Sequence, residues 1–384
     1  MKKCKVIMIA FLVIFLAGCS QSRQQDIIVD MEELQAYDYQ EVESPEHNIK
    51  ISECEFSIPE HSQVDAFYVY DNTVYYSVGF SDYLQNNTGS HFVEFKEKYN
   101  TQIRSFNMKS KEDSLLYQYK EDNCINIADI ACNGTYLIWE DYQIDGWRIQ
   151  KLSLTEDESP EIIVDNGAHE FGTLWTITPV ITEDSLYWYD KSDELDNPVT
   201  LYRYDFKTKK TDIFQSGLST PYTHVSIVNG ICTFFEKEDK DKTIIYIYNL
   251  AKKELTTLTV PMEVRDPISN GEICIWLKGW DYYDTEMLYV YNLLEGSFEQ
   301  IDVSHAFSYG ILGEYIIVNR HDYDSYRNDE LFCYDVKSKT YFPITSSENV
   351  SYGFTCHGLP DNIYADKWIY NKENGKEIIS LSLY

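Results

Sequence analysis

From about residue 64 to its C-terminus the chain repeats one pattern, and a fixed repeat constrains a fold more tightly than composition does. An aromatic strand ends in Asp or Asn, a Lys-rich turn follows, and a second short strand leaves. The pattern reads IRSFNMKSKEDSLLY from Ile103, LYRYDFKTKKTDIF from Leu201 and IYIYNLAKKELTTL from Ile245. It returns as LYVYNLLEGSFEQI from Leu288 and LFCYDVKSKTYFPI from Leu331, with a degenerate copy, IQKLSLTEDESPEII, from Ile149. Aligning Asn107, Ser153, Asp205, Asn249, Asn292 and Asp335 gives spacings of 43 to 52 residues, the length of a unit of four short antiparallel strands. Tyr, Ile, Val and Phe dominate these strands, as half-buried pleated surfaces prefer.

Each unit divides into strands A to D. In the fourth, THVSIVN is A, ICTFFEK is B, IIYIYNL is C and ELTTLT is D. Asn229-Gly230 joins A to B and suits a two-residue hairpin, whose central positions need positive φ. Asn133-Gly134 and Asn270-Gly271 repeat it, and Asp71-Asn72, Glu183-Asp184 and Gly313-Glu314 are looser versions. Units begin near Val64, Cys124, Leu174, Tyr222, Val264, Phe307 and Ser351. The last stops after its third strand, whereas NIKISECEFSIP, Asn48 to Pro59, is a strand-like segment without a unit. Donating it to the last unit would close a ring and remove two sheet edges at once. The expected fold is therefore an all-β propeller of seven four-stranded blades closed by an N-terminal strand. Six or eight blades remain compatible, because the insertion Gly79 to Asn100 blurs the count.

The strand-turn-strand signature, Leu201-Tyr202-Arg203-Tyr204-Asp205 and Leu331-Phe332-Cys333-Tyr334-Asp335, resembles that of TolB-like bacterial lipoprotein propellers, and the likeness covers nearly all of the chain beyond its first segment. The Trp-Ser-Pro-Asp-Gly hairpin of that family is reduced here to Asn-Gly, and the Gly-His and Trp-Asp marks of WD-repeats are missing. The resemblance implies a fold; propellers vary freely in function.

The first residues suggest an address. Lys2, Lys3 and Lys5 precede an apolar run, Val6 to Leu16, and then Leu16-Ala17-Gly18-Cys19. Basic start, short apolar core and small residues describe a secretory signal over 1–18. Leu-Ala-Gly-Cys looks like a bacterial lipobox, which implies that Cys19 becomes the diacylated N-terminus on the extracytoplasmic side of a membrane. Residues 19–47 are polar and acidic, and read as a flexible tether ahead of a propeller domain over 48–384. A turn or two of helix between Ile27 and Leu34 is also compatible. The formal net charge is −31, which repels phosphate backbones and excludes nucleic acid as a natural partner. The strand cysteines, Cys232 and Cys274 at equivalent positions among them, read as buried thiols, with a Cys54–Cys356 pair as an alternative.

In a four-stranded blade the B–C and D–A loops leave one face, and the A–B and C–D turns the other. The B–C loops read EDYQIDGW from Glu140, DKSDELDNP from Asp190, EKEDKDK from Glu236, KGWDYYDTE from Lys278 and HDYDSYRNDE from His321. The C–D turns carry Lys109, Lys111, Lys207, Lys209, Lys210, Lys252, Lys253, Lys337 and Lys339, so an acidic face opposite a Lys-rich one is expected. Charged loops keep strand-rich proteins soluble, which accounts for the acids. It leaves over the loop aromatics Trp147, Trp280, Tyr282, Tyr283, Tyr323 and Tyr326, which suit stacking on sugar rings or cations and anchor protein interfaces. His169, His224 and His305 fall near the D–A loops; His169 and His305 join the candidate ligand-binding set. Asp322, Asp324 and Asp329 place oxygen ligands as a calcium loop would, though without the Gly and bidentate Glu of an EF-hand. No nucleophile elbow, phosphate loop, dinucleotide fingerprint or CxxC is present. The sequence reads as a lipid-anchored module binding a protein, peptide or glycan. A cell-surface enzyme acting on glycans or peptides, and an accessory lipoprotein of an envelope or transport complex, are the alternatives.

Overall fold

A computed structural model describes residues 24–37, 39–42, 49–57, 62–80, 99–119, 124–143, 146–156, 158–167, 179–190, 199–218, 225–239, 241–278, 287–303, 306–321, 329–346, 350–355, 362–369 and 375–383. Four strands come first: β1 (Gln24–Ile28), β2 (Leu34–Ala36), β3 (Gln40–Glu41) and β4 (Ile49–Ser57). The first sheet holds β5 (Ser62–Tyr70), β6 (Thr73–Phe80), β7 (Tyr99–Asn107) and β8 (Asp113–Gln118). The second holds β9 (Cys124–Cys132), β10 (Tyr136–Gln143), β11 (Gly146–Ser153) and β12 (Glu161–Gly167). In the third are β13 (Val180–Ile181), β14 (Ser185–Asp190), β15 (Val199–Asp205) and β16 (Lys210–Leu218). The fourth has β17 (Ser226–Val228), β18 (Ile231–Asp239), β19 (Lys242–Asn249) and β20 (Glu254–Val260). In the fifth lie β21 (Val264–Ser269), β22 (Ile273–Lys278), β23 (Met287–Asn292) and β24 (Phe298–Asp302). The sixth has β25 (Ala306–Leu312), β26 (Tyr315–His321), β27 (Asp329–Asp335) and β28 (Thr340–Ser346). The last is β29 (Val350–Thr355), β30 (Asn362–Ile369), β31 (Gly375–Leu383) and the displaced β4.

The four strands named for each sheet pair antiparallel, and successive sheets touch through their first strands. The contacts run β5–β9–β13–β17–β21–β25–β29 and return from β29 to β5. Apolar clusters fill the gaps between neighbours. One joins Tyr187, Tyr189 and Leu201 of the third sheet to Cys232 and Phe234 of the fourth; another joins Phe235 and Leu258 to Trp276 and Phe298 of the fifth. Strand β4 supplies Phe56, buried against Tyr76 and Phe106 of the first sheet, so it links last sheet to first. Its pairing with β31 is antiparallel and runs from Gly375↔Ser57 to Leu383↔Ile49. This is the donation expected of residues 48–59.

The repeat's Asp or Asn earns its place in the C–D turn. Its side-chain oxygen accepts backbone N–H groups two or three residues on: Asn107 from Lys109 and Ser110, Asp205 from Thr208, Asn249 from Lys252, Asn292 from Leu294 and Glu295, Asp335 from Lys337 and Ser338. Four residues after it the chain turns left-handed, at Lys111, Lys209, Lys253, Gly296 and Lys339, and that residue's N–H closes on the carbonyl of the Asp or Asn. The A–B turns are less uniform than their sequence. Asn229-Gly230 has both residues at positive φ, as Asp71-Asn72 does, whereas at positions 133–134 and 270–271 only the glycine does. There the Asn folds inward. Asn270 Oδ1 accepts from Glu272 and Ile273 N–H, each at 3.0 Å, and Nδ2 donates at 2.9 Å to the Gly313 carbonyl of the next sheet. Asn133 reaches the Thr182 carbonyl in the same way, at 2.8 Å.

The reading of residues 19–47 as a flexible tether needs correction over its described part. Residues 24–37 and 39–42 add strands to the outer edges of three sheets: β1 pairs parallel with β20, β2 with β24 and β3 with β28. The helical turn is a single 3₁₀ turn, Met31–Glu33, capped by Asp30. The physical reason is that an outermost strand presents unpaired N–H and C=O groups, and an extended segment satisfies them without being strongly apolar. A few side chains add grip: Val29 is buried among Leu258, Trp276 and Phe298, and Tyr39 packs edge-on to Tyr334 with centroids 5.7 Å apart. Lys339, expected on a solvated face, lies 4.6 Å from the Tyr37 ring centroid and pairs with the buried Glu299.

Cys132, Cys232, Cys274 and Cys333 are buried free thiols, and Cys54 is free as well, so the disulfide alternative is not realised at that residue. Burial pushes the Cys132 thiol up to about 11, which keeps it protonated and inert.

Replacing Asn270 by Asp keeps the turn's acceptor and removes its donation to the next sheet; we expect a loss of about 1–2 kcal/mol in chemical denaturation. Asn249→Asp, where other repeats already carry Asp, should be near neutral. Glu299 gives a pH signature. Burial raises its pKa and outweighs Lys339, so its contribution is fully present at low pH and is lost as pH rises through the raised value. Across about pH 4 to 7, Glu299→Gln should lose less stability than the parent; parallel curves would contradict this.

Candidate functional site

The second and third sheets pack against each other. Between them the inner space is filled by Ile138, Ile149, Leu186, Trp188, Tyr204 and Phe206. Beside this core lies a groove of about 330 Å³, lined by Trp147, Ile163, Val164, Asp165, Trp188, Tyr202 and Thr211. Trp147 is the second residue of β11, opposite Tyr142 on one side and Asn166 on the other. Trp188 and Tyr202 are cross-strand partners on β14 and β15, stacked with centroids 5.6 Å apart and planes 18° from parallel. Trp188 is buried, and Trp147 and Tyr202 are half-buried. On the rim Arg148 Nε meets Asp165 Oδ2 at 3.2 Å. Aromatic faces beside a charged pair can take a planar or ring-shaped apolar group and hold its polar edge.

A larger recess, about 560 Å³, lies beside the end of β1 and the β18–β19 connection, lined by Ile28, Val29, Asp239, Asp241, Lys242, Thr259 and Pro261. It has no aromatic wall and offers less to a specific ligand.

Trp147 is thus placed in a groove. Trp280, Tyr282, Tyr283, Tyr323, Tyr326, His169, His224, His305, Asp322, Asp324 and Cys19 lie outside the described residues. Asp329 opens β27 opposite His321 in register. Among the described residues no group of three or more His, Cys, Asp or Glu side chains is arranged to hold a metal ion.

Two expectations about the faces change. Glu140, Asp141 and Tyr142 are not loop residues; they end β10 and are buried. Asp141 accepts hydrogen bonds from Tyr119 and Gln150, and Tyr119 accepts one from Trp139 Nε1 at 2.8 Å. Burial, with Glu140 alongside, raises the Tyr142 phenol far above its ordinary range. The Lys-rich face is also mixed. The A–B turns on that side bring Asp71, Glu183, Asp184, Glu272 and Glu314, and Lys337 stands 4.0 Å from Glu314. Sequence reasoning missed Trp188 and Tyr202. Their one signal is that β14 carries aromatics on both faces, Tyr187 and Tyr189 on one and Trp188 on the other, which requires packing on both sides of the sheet.

No protein-family model and no curated protein matches the chain. Solved structures do match. The β-propeller domain of the Trilobed protease from Pyrococcus furiosus, described as having an open velcro topology, aligns with a TM-score of 0.57 at 11% identity, over 85% of this chain and 94% of that one. A prolyl endopeptidase aligns at 0.54 and 11%, over 84% of this chain and 50% of its own. An acylaminoacyl peptidase of Pyrococcus horikoshii gives 0.52 and 12%, over 80% and 49%. The chain folds as a β-propeller. It spans about half the length of these two peptidases, and such low identity carries the fold alone. In contrast to an open velcro, the last blade here pairs β31 with β4.

The groove makes a prediction about stability. Trp188→Ala empties a core site and should cost about 3–5 kcal/mol. Trp147→Ala removes a half-exposed ring and should cost under about 1.5 kcal/mol, since less apolar area is lost. Equal losses in chemical denaturation would mean that Trp147 is simply core.

Proposed function

We propose that the protein is a lipid-anchored, extracytoplasmic, seven-bladed propeller of the TolB-like kind that serves as a binding or scaffolding module for a protein, peptide or glycan. The observation that carries the binding role is the groove between the second and third blades. There Trp147 and Tyr202 remain half-exposed beside the stacked Trp188 and the Arg148–Asp165 pair. A fold built to bury aromatics leaves such rings at a surface where they can serve a partner. The blade number is supported by the cycle of contacts among β5, β9, β13, β17, β21, β25 and β29. The anchor is supported by Leu16-Ala17-Gly18-Cys19 behind a basic, apolar leader. The catalytic alternative has no observation in its favour among the described residues.

Screening the full chain on glycan and peptide arrays, followed by tryptophan-fluorescence titration, tests the binding role. Trp147→Ala should weaken the best array ligand by about tenfold or more, the loss usual for an aromatic anchor. Unchanged affinity would remove the groove from consideration.

A further inference from the structure

The N-terminal strands fix where the chain enters the propeller, and this bears on how the molecule would sit on a membrane. Strand β1 runs parallel to β20, with Gln24 opposite Leu255, two residues after the left-handed Lys253 of the β19–β20 turn. Five register pairs, the Asp26–Thr257 hydrogen bond at 2.7 Å and the buried Val29 hold it there. Cys19 is five residues before Gln24. Whatever the path between them, five residues span at most about 18 Å. The other end of the same blade, at the β18–β19 hairpin, lies eight strand residues away along β19, or about 26 Å.

The surface around this entry point suits a bilayer. Lys207 and Lys210 of the β15–β16 turn and Lys252 and Lys253 of the β19–β20 turn are exposed on adjacent blades. Lys209 is occupied by Glu161 at 3.7 Å. The neighbouring β23–β24 turn exposes Leu294, 74% accessible. Glu183, Asp184, Glu254, Glu272 and Glu295 share this rim, so five acids stand beside the four lysines, a small imbalance in a molecule that carries −31 overall. An anionic surface that repels the rest of the protein would tolerate this corner and attract its lysines.

We propose that the acylated N-terminus holds the propeller with the β15–β16 and β19–β20 turns against an anionic phospholipid surface, with Lys207, Lys210, Lys252 and Lys253 as the lipid contact. This rests on the reading of Cys19 as lipidated. The domain is then docked with a fixed orientation, its β18–β19 end turned outward, and is not a body on a long leash.

The test uses the full acylated chain in vesicles of phosphatidylcholine and phosphatidylserine whose headgroups carry a nitroxide quencher. A dye is attached through a click-reactive residue replacing Ala251, in the β19–β20 turn, or Asp239, at the opposite end. The dye at 251 should be quenched at least threefold more strongly than that at 239. Equal or reversed quenching overturns the orientation. A Lys207→Glu, Lys210→Glu, Lys252→Glu variant should lose about half of the quenching at 251 in phosphatidylserine vesicles and none in pure phosphatidylcholine. No loss in the anionic vesicles overturns the lipid contact. Flotation separates the two readings. If the parent floats with vesicles and Cys19→Ala does not, a quenching failure belongs to the orientation alone. If neither floats, the anchor fails and the orientation with it.

Discussion

Backbone pairing between β4 and β31 is the constraint on which the rest of the structure depends. The four main strands of every other sheet come from one contiguous stretch of chain, with β1, β2 and β3 added only at outer edges, but the last sheet takes its fourth strand from residues that precede the first. Without that donation β31 would be an open edge and Phe56 would be missing from the cluster that packs the last sheet against the first. A ring of sheets has no central core to fall back on; it is held by contacts between neighbours, so one open seam weakens all of them. The local connections are built for the same purpose. Asn133 and Asn270 each spend a side-chain donor on the following sheet, linking turns that sequence alone would treat as isolated hairpins.

The strands β1, β2 and β3 extend this logic to the outside. Parallel addition to β20, β24 and β28 covers three outer edges that would otherwise offer free hydrogen-bonding groups to another chain. The segment also brings its own polar chemistry, since Lys339 and Glu299 close over Tyr37 and Tyr39 in the seam between the fifth and sixth sheets. A buried carboxylate beside one ammonium is a costly arrangement, tolerated here because the aromatic rings and the strand cover it together. The chain therefore enters the fold at a defined corner.

Much of this was legible in the sequence because it repeats. A side-chain acceptor in the C–D turn, Asp or Asn in five copies and Ser153 in the degenerate one, is required by the turn's geometry, so spacing alone located the sheets, and the unpaired segment 48–59 pointed to its own destination. Residues 24–42 were not legible as strands, because runs of five, three and two residues carry no periodicity and their partner is edge backbone. Glu140 and Asp141 read as loop because acids usually are; their burial depends on Tyr119 and Gln150, which lie elsewhere in the chain. The groove escaped for the same reason. Trp147, Asp165, Trp188 and Tyr202 meet only when two sheets pack, and no local spacing encodes that.

Function follows from what the ring leaves uncovered. A propeller whose inner strands and seams are filled has its outer grooves and loop faces to work with, and the aromatic groove of the second and third sheets is the built feature on the described surface. All of it presumes that residues far apart in sequence are neighbours in the seam. The most direct measurement is oxidative cross-linking of paired cysteines. Lys50→Cys with Ser382→Cys joins residues that are directly opposite in the β4–β31 register and should form a disulfide readily in the native protein. Lys50→Cys with Ser380→Cys, two residues out of register, should not. Failure of the first pair, or equal cross-linking by both, would contradict the closed ring.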